Sequence, residues 1–154
     1  MPEKTIGLGE KAPDFKLKDQ DGLERKLTPL PAAQWTALAF YPKASTPGCT
    51  KEVCSIRDAA KDLAAAGIRV FGVSTDDVGA QKKFHAEQKL NFPLLADPEG
   101  EVTAKYAGFR EGSKNAQRVT VLIDPKGVVR HIEREVKTDT HGGDLVKLLN
   151  SLGA

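Results

Sequence analysis

The sequence is short of the residues that build disulfide scaffolds, membrane spans and nucleic-acid surfaces. It has two cysteines in 154 residues, too few for a disulfide framework, in a chain long enough to bury a core without one. No apolar run approaches the roughly 20 residues that a membrane span needs. The opening Met-Pro-Glu-Lys-Thr has no apolar stretch of the kind found in a secretory leader. Lys and Arg total 23 against 21 Asp and Glu, a formal charge of +2, and no basic cluster makes the electrostatic footprint of a nucleic-acid binder. What is present, 40% hydrophobic and 29% charged residues, points to a single soluble domain over 1–154, cytoplasmic, with neither nucleic acid nor membrane as partner.

Hydrophobic patterning gives the order of elements. Alternating stretches at 15–18 and 23–27 flank Asp21-Gly22 and predict a hairpin. The nearly unbroken apolar runs at 36–41 and 68–74 predict strands covered on both faces. Between them Val53, Ile56, Ala60 and Leu63 recur at helical spacing up to Gly67, so the segment reads as a parallel βαβ unit. A polar-rich helix over 78–90, a short strand at 92–95 and a short helix near 102–106 follow. Strands over 118–123 and 128–133 are joined by Asp124-Pro125-Lys126-Gly127, the same turn chemistry as Asp97-Pro98-Glu99-Gly100. A leucine-striped helix over 144–152 ends the chain. This order predicts a thioredoxin-like α/β fold with an N-terminal β-hairpin extension. The polar stretch 108–117 is expected to be a mobile loop bordering a site.

The two cysteines lie in Cys-Thr-Lys-Glu-Val-Cys, Cys49 to Cys54. Thr46-Pro47-Gly48-Cys49 is a helix-start signal, with Thr46 as N-cap and Pro47 at the first helical position. Cys49 then falls in the first turn, where unpaired N–H groups and the helix dipole favour an anion, and hence a thiolate. On an intact helix the two Cα atoms are about 8.7 Å apart, beyond the roughly 7 Å limit for a disulfide. Any bond between them requires the helix to unwind, so it can be transient but not permanent. Peroxide chemistry has this two-stage character: a thiolate is oxidised to sulfenic acid, which a neighbouring thiol then condenses with.

Pro42-x-x-x-Thr46-x-x-Cys49 fits the peroxiredoxin motif, and Phe40-Tyr41-Pro42-Lys43 through Cys49-Thr50-x-Glu52-x-Cys54 resembles the bacterioferritin comigratory protein (PrxQ) branch. The similarity extends through Gly9-x-Lys11-Ala12-Pro13-Asp14-Phe15, Gly72-Val73-Ser74-x-Asp76, Phe92-Pro93-Leu94-Leu95-x-Asp97 and Arg118-x-Thr120-x-Leu122-Ile123-Asp124. The resemblance implies a thiol-dependent peroxidase acting on hydrogen peroxide and organic hydroperoxides, active in antioxidant defence. Cys49 would be the peroxidatic cysteine and Cys54 the resolving one, the two forming an intramolecular disulfide. Thr46 would hydrogen-bond the thiolate and the peroxide, Pro42 would shield the pocket, and Arg118 would stabilise the thiolate and polarise the O–O bond. Glu52, one turn after Cys49, is expected to orient Arg118. Arg57 is the rival cation, about 12 Å along the same helix by rise. Thioredoxin, or alternatively glutaredoxin, would be the reductant, and the protein a monomer, with a homodimer as the alternative. No cofactor or metal is implied. The lack of any methionine after Met1 suits a protein that handles oxidants.

Other readings are a thioredoxin-like disulfide reductase, which would use Cys-x-x-Cys, and a metal-binding module, which would need a well-placed histidine. His85, His131 and His141 have no ligand spacing and are expected in ordinary surface roles. Asp76-Asp77 reads as a helix cap, and Trp35, Phe84, Phe92 and Phe109 as core or loop packing.

Overall fold

The computed structural model describes residues 5–28 and 33–152; Met1 to Lys4, part of the opening read for a leader, lie outside them. Strand β3 (Trp35–Phe40) is buried at every position. Trp35, Ala37 and Ala39 face one apolar layer, while Leu38 and Phe40 face the other. A strand with no solvent face is apolar almost throughout, which is why its sequence does not alternate; its one polar side chain, Thr36, accepts from Arg69 Nε (2.8 Å). β3 pairs in parallel with β4 (Ile68–Ser74), and β4 in parallel with β5 (Leu94–Ala96). β6 (Val119–Ile123) runs antiparallel on the other side of β3, followed by β7 (Val129–Glu133). The hairpin β1 (Lys16–Asp19) and β2 (Glu24–Lys26) joins β5 through Lys18 opposite Ala96. The extension is therefore part of one seven-stranded sheet, ordered β2-β1-β5-β4-β3-β6-β7.

One layer is filled by α1 (Pro47–Asp58), α2 (Ala60–Ala65), α3 (Val78–Glu87) and α5 (His141–Ser151), through Val53, Ile56, Leu63, Phe84, Leu145 and Leu149. The other holds Tyr106 of α4 (Glu101–Tyr106), stacked on Phe40. Among the described residues no helix is long and apolar enough to cross a membrane.

Four expectations need correction. The single helix expected up to Gly67 breaks at Ala59, whose φ of −93° and ψ of 3° leave the helical range, at the point where Asn91 Nδ2 donates to the Arg57 carbonyl (3.2 Å). α3 stops at Glu87, because Gln88 caps it and Lys89 takes a positive φ of 51°. α5 begins at His141, because the Gly142-Gly143 pair enters the helix instead of preceding it. The stretch 108–117 is a small hairpin, with Phe109 bridged to Ala116 and Arg110 N–H bonded to the Asn115 carbonyl. Both Asp-Pro-x-Gly turns form, with Gly100 N–H bonded to the Asp97 carbonyl and Gly127 N–H to that of Asp124.

The start of α5 is pressed against α1. A Cβ at Gly142 would lie 2.2 Å from the Ser55 carbonyl oxygen, and Gly142 N–H donates to Ser55 Oγ (2.9 Å). Gly142→Ala is therefore expected to destabilise the protein by about 1–3 kcal/mol, the usual cost of overpacking, read as a lower urea midpoint with an unchanged slope.

Candidate active site

The carboxyl end of β3 leads directly into the site. Tyr41 and Pro42 are buried, and the segment from Lys43 to Thr46 then turns sharply into α1. Ser45 sits at a positive φ of 62°, a conformation that costs a non-glycine residue energy and persists only where its surroundings impose it. Asp76 supplies one such restraint: its Oδ2 accepts from Ala44 N–H and from Ser74 Oγ, both at 2.7 Å. Of the expected Asp76-Asp77 cap, Asp77 caps α3 through Ala80 N–H (2.8 Å), while Asp76 holds the site loop. Tyr41 donates to Gln81 Oε1, and Gln81 to the Leu95 carbonyl, so a satisfied polar network underlies the loop.

Thr46 occupies the N-cap position of α1 with extended backbone and Pro47 following. Its side chain does not cap the helix as expected: Oγ1 donates to the Lys43 carbonyl (2.7 Å). The hydroxyl closes the tight loop behind it. Cys49 lies in the first turn, 1% exposed.

Arg118 is the residue immediately before β6. Because Val119 is registered opposite Phe40, the guanidinium emerges beside the start of α1. Its Nη2 lies 3.6 Å from Cys49 Sγ, and its Nη1 donates to Glu52 Oε1 at 2.6 Å. Glu52 is fully buried, and its second oxygen, Oε2, has no hydrogen-bond partner among the described residues. Burial pushes the Glu52 carboxyl up to about 7 against the opposing pull of Arg118. Burial alone would weaken the Arg118 charge, but Glu52 and the Cys49 sulfur more than offset it and hold its pKa above the ordinary arginine value. A Cβ at Gly48 would lie 3.1 Å from Arg118 Nη2, so glycine leaves the guanidinium its place.

Cys54 is half-buried and unbonded, as is Cys49 with respect to disulfides, on an α1 that is continuous through both. Cys54 Sγ donates to Gln88 Oε1 (3.2 Å). Arg57 is directed away from Cys49, toward Asp58 (3.0 Å) and the Gln88 carbonyl (2.6 Å). The structure thus brings Cys49, Glu52 and Arg118 into contact, with Pro42 and Thr46 on the adjoining loop, and leaves Cys54 on the next turns of the same helix. Among the described residues no group of three His, Cys, Asp or Glu is placed to hold a metal ion.

Residues 8–132 match the AhpC/TSA family. The chain belongs to this family, among its Bcp/PrxQ peroxiredoxins. It is 37% identical to Peroxiredoxin Bcp of Escherichia coli K12 over 142 residues, 88% of this chain and 90% of that one. The crystal structure of the peroxidoxin BcpB of Mycobacterium tuberculosis superposes with a TM-score of 0.86 at 36% identity, covering 96% of this chain and 98% of the other. The bacterioferritin comigratory protein of Xanthomonas campestris, described in work on its alkyl peroxide reduction activity, superposes at 0.82 and 27% identity, covering 91% and 92%.

One residue of this peroxiredoxin defies its sequence reading. His141, expected at the surface, is 1% exposed, with Nε2 2.7 Å from Thr120 Oγ1 on β6, two residues beyond Arg118. No spacing marks it, since its partner is brought to it only by the sheet. Burial lowers His141 to about 4, with Asp144 and Glu133 opposing and Arg118 assisting. The folded state therefore binds fewer protons than the unfolded one between the usual value of about 6.5 and about 4, so this group withdraws stability as pH falls through that window. Glu52, raised to about 7, does the reverse, adding stability as pH falls from 7 toward its ordinary value near 4.5. The two oppose each other, so their combined contribution to stability changes little between pH 4.5 and 6.5. In His141→Gln stability should rise toward the acid end, and in Glu52→Gln it should fall; urea denaturation at stepped pH measures both slopes.

Proposed function

We propose that this chain is a thiol peroxidase that reduces hydrogen peroxide and organic hydroperoxides, with Cys49 as the attacking thiolate. The observation that carries the reading is the cation beside it: Arg118 Nη2, 3.6 Å from a cysteine sulfur in the first turn of a helix. A guanidinium and a helix N-terminus both stabilise a thiolate, and both stabilise the negative charge that develops on the departing oxygen. Thr46, its own proton committed to the Lys43 carbonyl, presents lone pairs to the hydroperoxide O–H. Pro42, buried behind the sulfur's loop, keeps water away. Glu52 positions Arg118.

In the first step Cys49–S⁻ attacks the terminal peroxide oxygen. The O–O bond breaks, and with one proton the products are Cys49–SOH and ROH. In the second step Cys54–SH condenses with Cys49–SOH, forming the disulfide and releasing water. The second step requires the helix between the two residues to unwind. A dithiol, with thioredoxin favoured over glutaredoxin, then reduces the disulfide, returning both thiols. A monomer working in the reducing cytoplasm, in antioxidant defence, suits two cysteines that stay free between turnovers. Action on organic hydroperoxides agrees with the alkyl peroxide activity described for the Xanthomonas relative.

Peroxide consumption coupled to thioredoxin oxidation tests the scheme. Cys49→Ser should abolish it, and residual turnover in that variant would overturn the reading. Cys54→Ser should be oxidised once by a single equivalent of peroxide without forming an intramolecular disulfide, and should take up a second equivalent to accumulate sulfinic acid under excess peroxide. Arg118→Ala should slow Cys49 oxidation by about 10²–10³, the usual effect of removing one such donor. Asp76→Ala should slow it by releasing the Ala44 amide, and Asp76→Asn, which keeps a carbonyl acceptor, should recover part of the rate; stopped-flow oxidation of the reduced protein compares the three.

A further inference from the structure

Cys54 is held in place on the folded helix. Its thiol donates to Gln88 Oε1 at 3.2 Å, and Gln88 belongs to a firmly anchored segment. Its amide bonds to the Phe84 carbonyl, closing the end of α3, and Phe84 is fully buried edge-on to Tyr41. After the positive-φ turn at Lys89, the chain is fastened again by buried Leu90 and Phe92. The same segment grips α1 three residues further along, where Arg57 Nη1 donates to the Gln88 carbonyl (2.6 Å) and Asn91 Nδ2 to the Arg57 carbonyl (3.2 Å).

We propose that Gln88 is a positioning residue for disulfide closure: it keeps Cys54 on the helix and thereby sets how long the Cys49 sulfenic acid stays open to a second peroxide. This rests on the roles proposed above for Cys49 and Cys54. To close the bond, the two Cα atoms must come from about 8.7 Å apart to about 5.5–6 Å. The Cys54–Gln88 hydrogen bond has to break in that movement, whereas the Arg57 contacts, made through Gln88 main chain and Asn91, can persist as the fixed end from which α1 unwinds. Two reactions compete for the same sulfenic acid. Condensation, Cys49–SOH + HS–Cys54 → Cys49–S–S–Cys54 + H₂O, needs the thiol to leave Gln88. Over-oxidation, Cys49–SOH + ROOH → Cys49–SO₂H + ROH, does not. A thiol is a weak donor, so the restraint is modest, and its removal changes the balance without disturbing the chemistry at Cys49.

The test is a comparison of wild type, Gln88→Leu, which removes the acceptor at similar size, and Gln88→Glu, which retains one. Reduced protein is mixed with one equivalent of hydrogen peroxide, quenched at intervals with a thiol alkylating agent and read by intact mass; sulfinic acid is then measured across a peroxide series. The expected result is an unchanged rate of Cys49 oxidation in all three. Disulfide closure should be about threefold faster in Gln88→Leu, within the range of one weak hydrogen bond. The peroxide concentration giving half sulfinic acid should rise by the same factor, and Gln88→Glu should close at or below the wild-type rate. Gln88→Ala gives the same direction of change and guards against a Leu variant that folds poorly. A wild-type disulfide with unchanged closure and sulfinic yield in both Leu and Ala variants overturns the role of Gln88 alone. Absence of a Cys49–Cys54 disulfide in wild type overturns it together with the resolving role of Cys54.

Discussion

The site depends on one guanidinium shared between two sulfur- and oxygen-bearing partners. Arg118 reaches Glu52 with one nitrogen and Cys49 with the other. The pair is buried at an evident cost, since Glu52 keeps an oxygen with no partner, and buried ion pairs of this kind seldom raise net stability. What the pair supplies is direction. A planar fork tied at one tip has few ways to point the other, so the cation already stands beside the sulfur, and the proposed reaction would need little reorganisation. The arrangement is inherited from the sheet: Val119 faces Phe40, and a slip of one residue between β3 and β6 would turn Arg118 to the opposite face.

α1 answers to two conflicting demands. In the proposed cycle its first turn stays intact to stabilise an anion, while its middle comes apart for the two sulfurs to meet. The packing divides accordingly. Val53 and Ile56 bury the helix against the sheet, Gly142 and Ser55 tie it to α5, and Arg57 ties its end to the segment after α3. β3 and β6, buried on both faces, form a fixed framework for the conformational change that the proposed cycle requires of the helix.

Most of the fold was readable because its signals are local. The continuous apolar runs of β3 and β4, the Asp-Pro-x-Gly turns and the Thr-Pro start of α1 each carry their own cause. The helix ends were less legible, because tertiary contacts set them: Asn91 at the Arg57 carbonyl, and the Gly142 contact that draws His141 into α5. The contact of Cys49, Glu52 and Arg118 agrees with the placement that the family resemblance implied. His141, Asp76 and Gln88 were missed or read for another purpose, since a buried imidazole, a loop-holding carboxylate and a thiol acceptor are defined by partners 21, 32 and 34 residues away. Thr46 was half right: its place at the N-cap was legible in the sequence, but the direction of its hydroxyl depends on a loop conformation that Ser45 adopts only under restraint.

The hairpin at the start of the chain has a bearing on the unwinding of α1 that the proposed cycle requires. Unwinding would take cover from Val53 and Ile56, and a protein with a bare sheet edge would then be open to pairing with its neighbours. Here β2 ends the sheet on one side with Glu24, Arg25 and Lys26, a three-residue strand of charges, and β7 ends it on the other with Arg130, His131 and Glu133. Short, charged margins make poor templates for a second chain. In the proposed cycle, in which α1 opens, these margins offer a second chain little to pair with, because the longer apolar strands lie inside the sheet.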